Sequence, residues 1–394
     1  MKIVIALASS SGQLSGVPRH AINLARCLLT RPEMTEIHLV AAPWQMEFVR
    51  DAAPCNDARL CLHSAPIGNN SLSRNLWYYA QLPKQAAEFG ADIVHLTYPA
   101  PVRKGAFPCP VVVTLHDLYP YDIPENFGFP KVLFNRVVLQ QCLRAVDGIV
   151  CISEYTHSRL EKLDPSLALK AEVIYNSVEP FNGSAVSTPP AQLRTQPFLL
   201  CVAQHRRNKN ILLVLEVFQR LFQARHIASD AQLLIVGIRG PETAAIEKFI
   251  ATSRLSNNVI LLNGISDAQL QWCYRNCGLL LVPSTFEGFG APVAEALLAG
   301  CHVVCSDIPA FREVGGAHCH YVPLGTQSVE LFASAVRQAL QMRKAKPIAL
   351  PHLSTAFITE EYLKLYRSLM PPTAADVQSN QAAFTSVIER QHSL

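Results

Sequence analysis

The sequence is poor in charge, and this scarcity already excludes several classes of protein. Charged residues make up 16% of the 394 residues, whereas hydrophobic residues make up 49%. This balance favours a well-buried globular chain over a disordered one. The formal net charge of +4 is too small to indicate a nucleic-acid partner. We therefore expect an enzyme-like protein that is long enough for two domains.

The sequence also lacks the cysteine spacings of a metal or disulfide framework. Its twelve cysteines include no CxxC pair. Several lie in apolar runs, such as Val150-Cys151-Ile152. No zinc or other metal site is therefore predicted, and the cysteines are expected to be buried, reduced thiols of a cytoplasmic protein.

Long apolar runs are missing as well. None reaches the length of a membrane-spanning helix. The N-terminal run in "MKIVIALASSSG" is interrupted at Ser9, where the apolar region of a signal peptide would continue. We interpret it as a first buried strand. No GxGxxG motif follows that strand, which disfavours a dehydrogenase.

What the sequence does contain is a regular alternation of short apolar runs with amphipathic segments. This alternation predicts parallel sheets that are covered by helices on both faces. It breaks only at residues 181–197, a stretch rich in Pro, Ser and Thr that we interpret as a linker. The predicted strands are Lys2–Ala8, Glu36–Ala42, Asp92–Leu96, Val111–Leu115, Gly148–Ile152, Glu172–Tyr175, Phe198–Ala203, Gln232–Val236, Val259–Leu262, Gly278–Val282 and His302–Cys305.

The alternation on either side of the linker predicts two doubly wound α/β domains of similar size. They comprise residues 1–180 and 198–370 and face each other across a cleft. The tail, residues 371–394, either packs back on the body through a helix at Ala382–Arg390 or frays at the terminus. In doubly wound sheets, ligands bind at the carboxyl ends of the strands.

The strongest functional signal is the segment "PSTFEGFGAPVAEA", residues 283–296. Pro292 is suited to the first position of a helix. The amides of Phe289, Gly290 and Ala291 would then lie at a helix N-terminus, which attracts phosphate groups. This segment therefore predicts a site for a phosphorylated ligand.

Two glutamates flank this predicted helix start. Glu295 is expected in the first turn, where a carboxylate can accept hydrogen bonds from ribose hydroxyls. Stabilisation of the helix dipole would explain Glu295 alone. It would not explain Glu287 in the preceding loop together with two glycines and a proline.

The motif "EGFGAPVAEAL" resembles the E-x7-E motif of the retaining GT-B glycosyltransferases, specifically glycosyltransferase family 4. The similarity extends to "NGISDAQLQWCYRNCGLLLVPS", "AGCHVVCSDIPAFREVGG", "VVVTLHDL", "VIYNSVEPF" and "LSGVPRHAINLARCLL". Together these segments cover most of residues 1–370. The resemblance implies the GT-B fold, in which two Rossmann-like domains bind the acceptor and the nucleotide sugar, respectively.

The resemblance also implies a role for individual residues. Glu287 would contact the transferred sugar, Glu295 the nucleotide ribose, and His116 the sugar from the opposite domain. Arg19 and His20 open the helix after the first loop and are expected to face the cleft. The implied catalytic residues are His116, Glu287 and Lys209, and the implied donor-binding residues are Gly16, Arg206, Arg207, Lys209, Asn210, Phe289, Gly290, Ala291 and Glu295.

One segment departs from the family pattern. In "VAQHRRNKN", residues 202–210, Lys209 and Asn210 match, but Ala203 replaces a glycine and Asn208 stands where the family has arginine. We expect Arg206 or Arg207 to supply the missing positive charge for a diphosphate. His116 has a plainer alternative, that of a buried loop histidine bonded to a carbonyl.

The predicted activity is transfer of a hexose from a nucleotide sugar, GDP-mannose or a UDP-hexose, to a glycan or lipid-linked acceptor, with retention of configuration. The sequence has no convincing DxD element, so no metal or other cofactor is expected. A lipid-linked acceptor would bring the protein to the inner face of a membrane. Three alternatives stay open: hydrolysis by paired carboxylates, a sugar-nucleotide epimerase of the same architecture, and a catalytically silent partner that only binds a nucleotide sugar.

Overall fold

The protein contains two parallel β-sheets, each covered by helices. A computed structural model describes residues 1–124, 127–179, 189–193 and 198–371. Most of the predicted linker and the predicted helix at Ala382–Arg390 lie outside these described residues. The predicted class, two doubly wound Rossmann-like units with the GT-B arrangement, is confirmed.

The first sheet has seven strands in the order β3-β2-β1-β4-β5-β6-β7, all parallel. The mostly apolar strands at its centre are buried on both faces, as expected for strands covered by crossover helices. The strands are β1 (Lys2–Ala6), β2 (Glu36–Ala41), β3 (Leu60–Ser64), β4 (Ile93–Leu96), β5 (Val111–Leu115), β6 (Gly148–Cys151) and β7 (Ala171–Val173).

The helices of this half connect successive strands. The π-helical turn Trp77–Gln81 joins two of them. The helices are α1 (Gly16–Leu29), α2 (Met46–Ala52), α3 (Ser71–Leu76), α4 (Leu82–Glu88), α5 (Tyr119–Asp122), α6 (Lys131–Ala145), α7 (Glu154–Leu163) and α8 (Pro165–Ala168).

The second sheet has six parallel strands in the order β10-β9-β8-β11-β12-β13. Its strands are β8 (Leu199–Val202), β9 (Leu233–Val236), β10 (Val259–Leu262), β11 (Leu279–Val282), β12 (Val303–Ser306) and β13 (His320–Val322). Its helices are α9 (Ile211–Gln223), α10 (Thr243–Thr252), α11 (Asp267–Asn276), α12 (Ala291–Ala299), α13 (Pro309–Gly315) and α14 (Ser328–Gln341).

The final described helix, α15 (Thr355–Leu369), returns to the first sheet. Its buried residues Ile358, Tyr362 and Tyr366 belong to the apolar core that α1 forms with β1 and β2. The Thr359 hydroxyl donates to the Cys27 carbonyl of α1 at 3.1 Å. The chain therefore crosses between the two halves a second time, after the second sheet is complete.

Within the described residues, no helix is both long enough and apolar enough to span a membrane. The carboxyl ends of the central strands of both sheets point towards the same cleft, where the two halves contact each other. The candidate site lies in this cleft.

Candidate functional site

The N-terminus of α12 is shaped by a glycine that no other residue could replace easily. Gly290 precedes the helix with φ +101°, in the left-handed region. A Cβ there would also lie 2.8 Å from Cδ1 of Phe311. The helix therefore begins at Ala291, and Glu295 lies in its second turn. The prediction that Pro292 opens the helix with Glu295 in the first turn is wrong by one residue, because Gly290 lets the helix start earlier.

Glu295 is a partly buried carboxyl group held by a tyrosine. The hydroxyl of Tyr274, a buried residue of α11, donates to Oε2 of Glu295 at 2.8 Å. Burial raises the pKa of Glu295, whereas the Tyr274 hydrogen bond and the nearby Arg19 lower it. Arg19 itself reaches across the cleft to Asp267, at 2.9 Å. One residue from each half of the chain thus lowers the pKa of Glu295 and opposes the effect of burial.

Lys209 and Glu287 form a close ion pair inside the cleft. Nζ of Lys209 lies 2.6 Å from each carboxylate oxygen of Glu287, and the glutamate is only 7% exposed. Lys209 is brought there by a single 3-10 turn, Arg207–Lys209, in the connection between β8 and α9. A buried carboxylate needs such a partner, because an unpaired buried charge is costly.

His116 follows β5 and approaches the same place from the first sheet. Its Nε2 lies 2.8 Å from the Thr97 carbonyl oxygen. A carbonyl can only accept, so Nε2 carries the hydrogen and Nδ1 is left as an acceptor. Burial lowers the pKa of His116 to about 4, although the Thr97 bond acts in the opposite direction. His116 is therefore neutral near pH 7, and it is both a carbonyl-bonded histidine and a residue of the cleft.

The loop that carries Glu287 touches the first sheet directly. A Cβ on Gly288 would lie 1.9 Å from the His116 carbonyl oxygen, so only glycine fits there. The Ser153 hydroxyl, at the start of α7, donates to the Gly288 carbonyl at 2.6 Å. Because of these contacts, Glu287 and His116 line the same cavity.

We call this cavity, of about 280 Å³, the glutamate cavity. Both sheets line it, and it unites eight of the predicted site residues. These are Gly16, His116, Lys209, Glu287, Phe289, Gly290, Ala291 and Glu295. The predicted cleft-facing residues Arg19 and His20 line it as well. Among the described residues there is no group of three or more His, Cys, Asp or Glu side chains that could hold a metal ion.

Three predicted donor-binding residues lie elsewhere. Arg206 lines a neighbouring cavity, and Arg207 is exposed and lies outside both. Asn210 precedes α9 in a left-handed conformation, with φ +52°. At Asn208, the position of the family arginine, the side chain is buried and donates to the Phe286 carbonyl at 3.1 Å. Its side chain thus braces the loop beside Glu287.

Two residues of the site were not among the predicted site residues. Tyr274 lies on an amphipathic helix, where an aromatic residue ordinarily indicates core packing. Asp117, next to His116, is half-buried in the cavity wall, and its desolvation there raises its pKa to about 7. Its Oδ1 accepts a hydrogen bond from the Tyr119 amide at 3.0 Å. Neither contact could be read from sequence, because both depend on side-chain direction.

Two family models match the chain and divide it between them. The model described as "Glycosyltransferase Family 4" matches residues 14–180, and the model described as "Glycosyl transferases group 1" matches residues 189–348. The two matches together cover the second sheet, every strand of the first sheet except β1, and most of the residues that line the glutamate cavity.

Curated relatives include two mannosyltransferases. The chain is 24% identical over 338 residues to O-antigen chain mannosyltransferase B of Escherichia coli, which covers 80% of this chain and 85% of that protein. It is 28% identical over 203 residues to O-antigen chain mannosyltransferase RfbU of Salmonella typhimurium, covering 51% of this chain and 53% of that protein.

Solved structures share the fold. A structure of Anabaena HepE in complex with UDP and glucose covers 100% of both chains, with a TM-score of 0.63 and 18% identity. WaaG, described as a glycosyltransferase involved in lipopolysaccharide biosynthesis, has a TM-score of 0.63 and 18% identity, covering 93% of this chain and 97% of that chain.

Proposed function

Because the chain is a GT-B glycosyltransferase of the family 4 type, we propose that it transfers a hexose from a nucleoside diphosphate sugar to a glycan or lipid-linked acceptor in polysaccharide biosynthesis. The observation that carries this proposal is the glutamate cavity, where Glu295, Lys209, Glu287 and the start of α12 converge. The two O-antigen mannosyltransferase relatives favour mannose, and hence GDP-mannose, as the donor. A UDP-hexose is the alternative, since the HepE structure holds UDP.

Each part of the donor has a matching group in the cavity. The carboxylate of Glu295 accepts hydrogen bonds from the ribose hydroxyls. The amides at Gly290 and Ala291 and the ammonium of Lys209 bind the diphosphate. Glu287 and the Nδ1 acceptor of His116 bind hydroxyl groups of the sugar. Lys209, which pairs with Glu287 in the free protein, then contacts diphosphate and glutamate together.

The reaction breaks the bond between the anomeric carbon and the diphosphate oxygen. Negative charge grows on the diphosphate, and Lys209 and the N-terminus of α12 stabilise it without a metal ion. Positive charge develops on the sugar ring, and the Glu287 carboxylate stabilises that. The acceptor hydroxyl attacks from the side of the leaving group, which retains the configuration. The leaving phosphate takes the hydroxyl proton as the new bond forms.

The test is thermal stabilisation by GDP, UDP, ADP and dTDP in EDTA, on the wild type and on Glu295→Ala. We expect one diphosphate to raise the Tm and the variant to lose most of that shift, because its ribose acceptor is gone. Full transfer activity in EDTA is the second expected result. A Tm shift that Glu295→Ala keeps contradicts the ribose assignment, and activity that is lost in EDTA and restored by Mg²⁺ contradicts metal-independent transfer.

Peripheral contact with the inner face of a membrane forms part of the proposal, and exposed apolar side chains on two helices support it. Leu72 and Leu76 of α3 and Phe134 and Val137 of α6 are all exposed. Residues 131–145 also carry three basic and no acidic side chains, which suits anionic lipid. We expect co-sedimentation with vesicles that contain phosphatidylglycerol, and its loss in Phe134→Ser/Val137→Ser. Equal sedimentation of this variant, or none by the wild type, contradicts membrane contact through this surface.

A further inference from the structure

A second cavity lies beside the glutamate cavity, and no part of the donor is assigned to it. It measures about 440 Å³ and lies between the loop after β1 and the loops after β8 and β9. We call it the arginine cavity, after Arg206 and Arg239 in its wall. Ser15 in its wall adjoins Gly16 of the glutamate cavity, and Arg206 precedes Lys209 by three residues. The two cavities are thus adjacent parts of one cleft.

The wall contributed by the first sheet is firmly braced. Gln45, which is fully buried, donates from Nε2 to the Ser9 hydroxyl at 2.7 Å and to the Ser11 carbonyl at 3.1 Å. The Ser15 hydroxyl donates to the Ser11 hydroxyl at 3.1 Å. These bonds hold residues 9–15 of the loop after β1 in place before any ligand binds.

In the wall contributed by the second sheet, two glycines allow neighbouring loops to pack closely. A Cβ on Gly237 would lie 1.8 Å from the Ala203 carbonyl oxygen, and one on Gly240 would lie 2.5 Å from the His205 carbonyl oxygen. The loops after β8 and β9 can therefore pack together only because both positions lack a side chain. The close packing holds Arg206 and Arg239 on the same wall.

The charge of the arginine cavity is positive. None of the described residues that line it is acidic. Arg239 pairs with Glu247 at 2.6 Å, but this pair is more than 40% exposed on both sides, and a guanidinium has five donors. Two arginines and two serines in the lining of one cavity suit a phosphate group, because the planar arginine fork matches its oxygens.

We propose that the arginine cavity binds a phosphate group of the acceptor, so that this enzyme acts on a phosphorylated acceptor. The proposal rests on the proposed function, since it names the second substrate of the same cleft. The donor diphosphate already has Lys209 and the N-terminus of α12 in the glutamate cavity. The sequence predicted that Arg206 binds the donor. Arg206 lies outside the glutamate cavity, and we assign it to the acceptor instead.

The phosphate could belong to either of two acceptor types, a lipid diphosphate or a phosphorylated sugar. The probes are therefore farnesyl diphosphate and mannose 6-phosphate, with methyl α-mannoside as the uncharged comparison. Each is titrated by calorimetry into protein saturated with the nucleoside diphosphate that stabilises it, and into free protein. The variants are Arg206→Gln/Arg239→Gln and the control Arg337→Gln, an exposed arginine of α14 that lines neither cavity.

We expect at least one phosphorylated probe to bind the saturated protein and the double variant to weaken it by at least about tenfold. The control should bind like the wild type, and the tighter probe identifies the acceptor type. Displacement of both probes by the nucleoside diphosphate overturns the proposal, because the arginines would then serve the donor. Unchanged probe affinity in the double variant, or no binding by either probe, overturns it as well.

The two proposals fail in different ways. If no nucleoside diphosphate binds, the proposed function fails, and the titration of free protein still measures the arginine cavity. If the nucleoside diphosphate binds and the probes do not depend on the arginines, only the acceptor inference fails.

Discussion

The two glutamates of the glutamate cavity, Glu287 and Glu295, have different hydrogen-bonding partners. Glu287 stays paired with Lys209 at 2.6 Å, so its burial is compensated by a cation. Glu295 has a neutral partner, the Tyr274 hydroxyl, and burial raises its pKa. The two glutamates, eight residues apart, are therefore suited to different tasks. Glu287 suits the positive charge that develops on the sugar ring, and Glu295 suits the neutral ribose hydroxyls.

Replacing Tyr274 with phenylalanine should shift the pH dependence of nucleotide binding. The hydroxyl lowers the pKa of Glu295 by donating to its carboxylate, so Tyr274→Phe should raise that pKa further. In its proposed role, Glu295 binds the ribose hydroxyls as a carboxylate, so we expect affinity to fall as the pH drops through this pKa. We expect the fall to occur at a higher pH in the variant, in titrations of the nucleoside diphosphate from about pH 5 to about pH 8.

The control for this shift is Glu295→Gln, which cannot titrate. It should bind weakly and lack this pH dependence, while Tyr274→Phe approaches wild-type affinity at alkaline pH. An identical midpoint in the wild type and Tyr274→Phe would falsify the role of the hydroxyl in setting the charge of Glu295.

At the scale of secondary structure, the sequence predicted the buried central strands and two of the four edge strands, β7 and β10, and missed the other two. The missed strands β3 and β13 are edge strands with mostly half-buried residues, so they show no continuous apolar run. The amphipathic pattern over Leu72–Phe89 predicts one helix, and the structure has a continuous helical segment over residues 71–88. The π turn at Trp77–Gln81 lies within it and turns Trp77 and Tyr78 into the core.

The same contrast holds for the site. His116, Glu287 and Lys209 could be predicted because each follows a strand that the apolar pattern marks clearly, and strand ends meet at the cleft. The separation of Arg206 from Lys209 could not be predicted. It depends on a single 3-10 turn, in which neighbouring side chains point in different directions.

The start of α12 gives a prediction for one element. Gly290→Ala should destabilise the protein by more than about 1 kcal/mol and weaken nucleoside diphosphate binding. Alanine is strained at φ +101°, and its Cβ meets the Phe311 ring at 2.8 Å, which displaces the first amides of the helix. Urea unfolding and diphosphate titration measure the two effects.

The matched control is Gly316→Ala at the end of α13. Gly316 has φ +52°, and an added Cβ would have no neighbour within 4 Å. This variant carries backbone strain without the clash, so it should lose stability while keeping diphosphate affinity. Equal affinity in Gly290→Ala and the wild type would mean that the helix start does not hold the diphosphate.

For the whole molecule, the relation between the two sheets matters most, because the site exists only where they meet. Glu313 of α13 joins them. Its carboxylate accepts hydrogen bonds from the amides of Glu154, at 2.6 Å, and Tyr155, at 3.1 Å, at the start of α7. A carboxylate from one half thus caps a helix of the other, beside the Ser153 contact with Gly288.

Removing this cap should slow transfer without abolishing donor binding. In Glu313→Ala, two amides at the positive N-terminal end of α7 lose their anionic acceptor. We expect this loss to destabilise the contact between the two halves by about 1 kcal/mol. We expect a severalfold lower kcat, nucleoside diphosphate affinity within about twofold of wild type, and a larger radius of gyration by solution X-ray scattering. Glu330→Ala, which breaks only the exposed pair with Arg220, is the control and should change none of these. If Glu313→Ala keeps both the wild-type kcat and the wild-type radius, the arrangement of the two halves does not depend on the cap, and the other contacts between them, such as Ser153 with Gly288 and Arg19 with Asp267, hold them together without it.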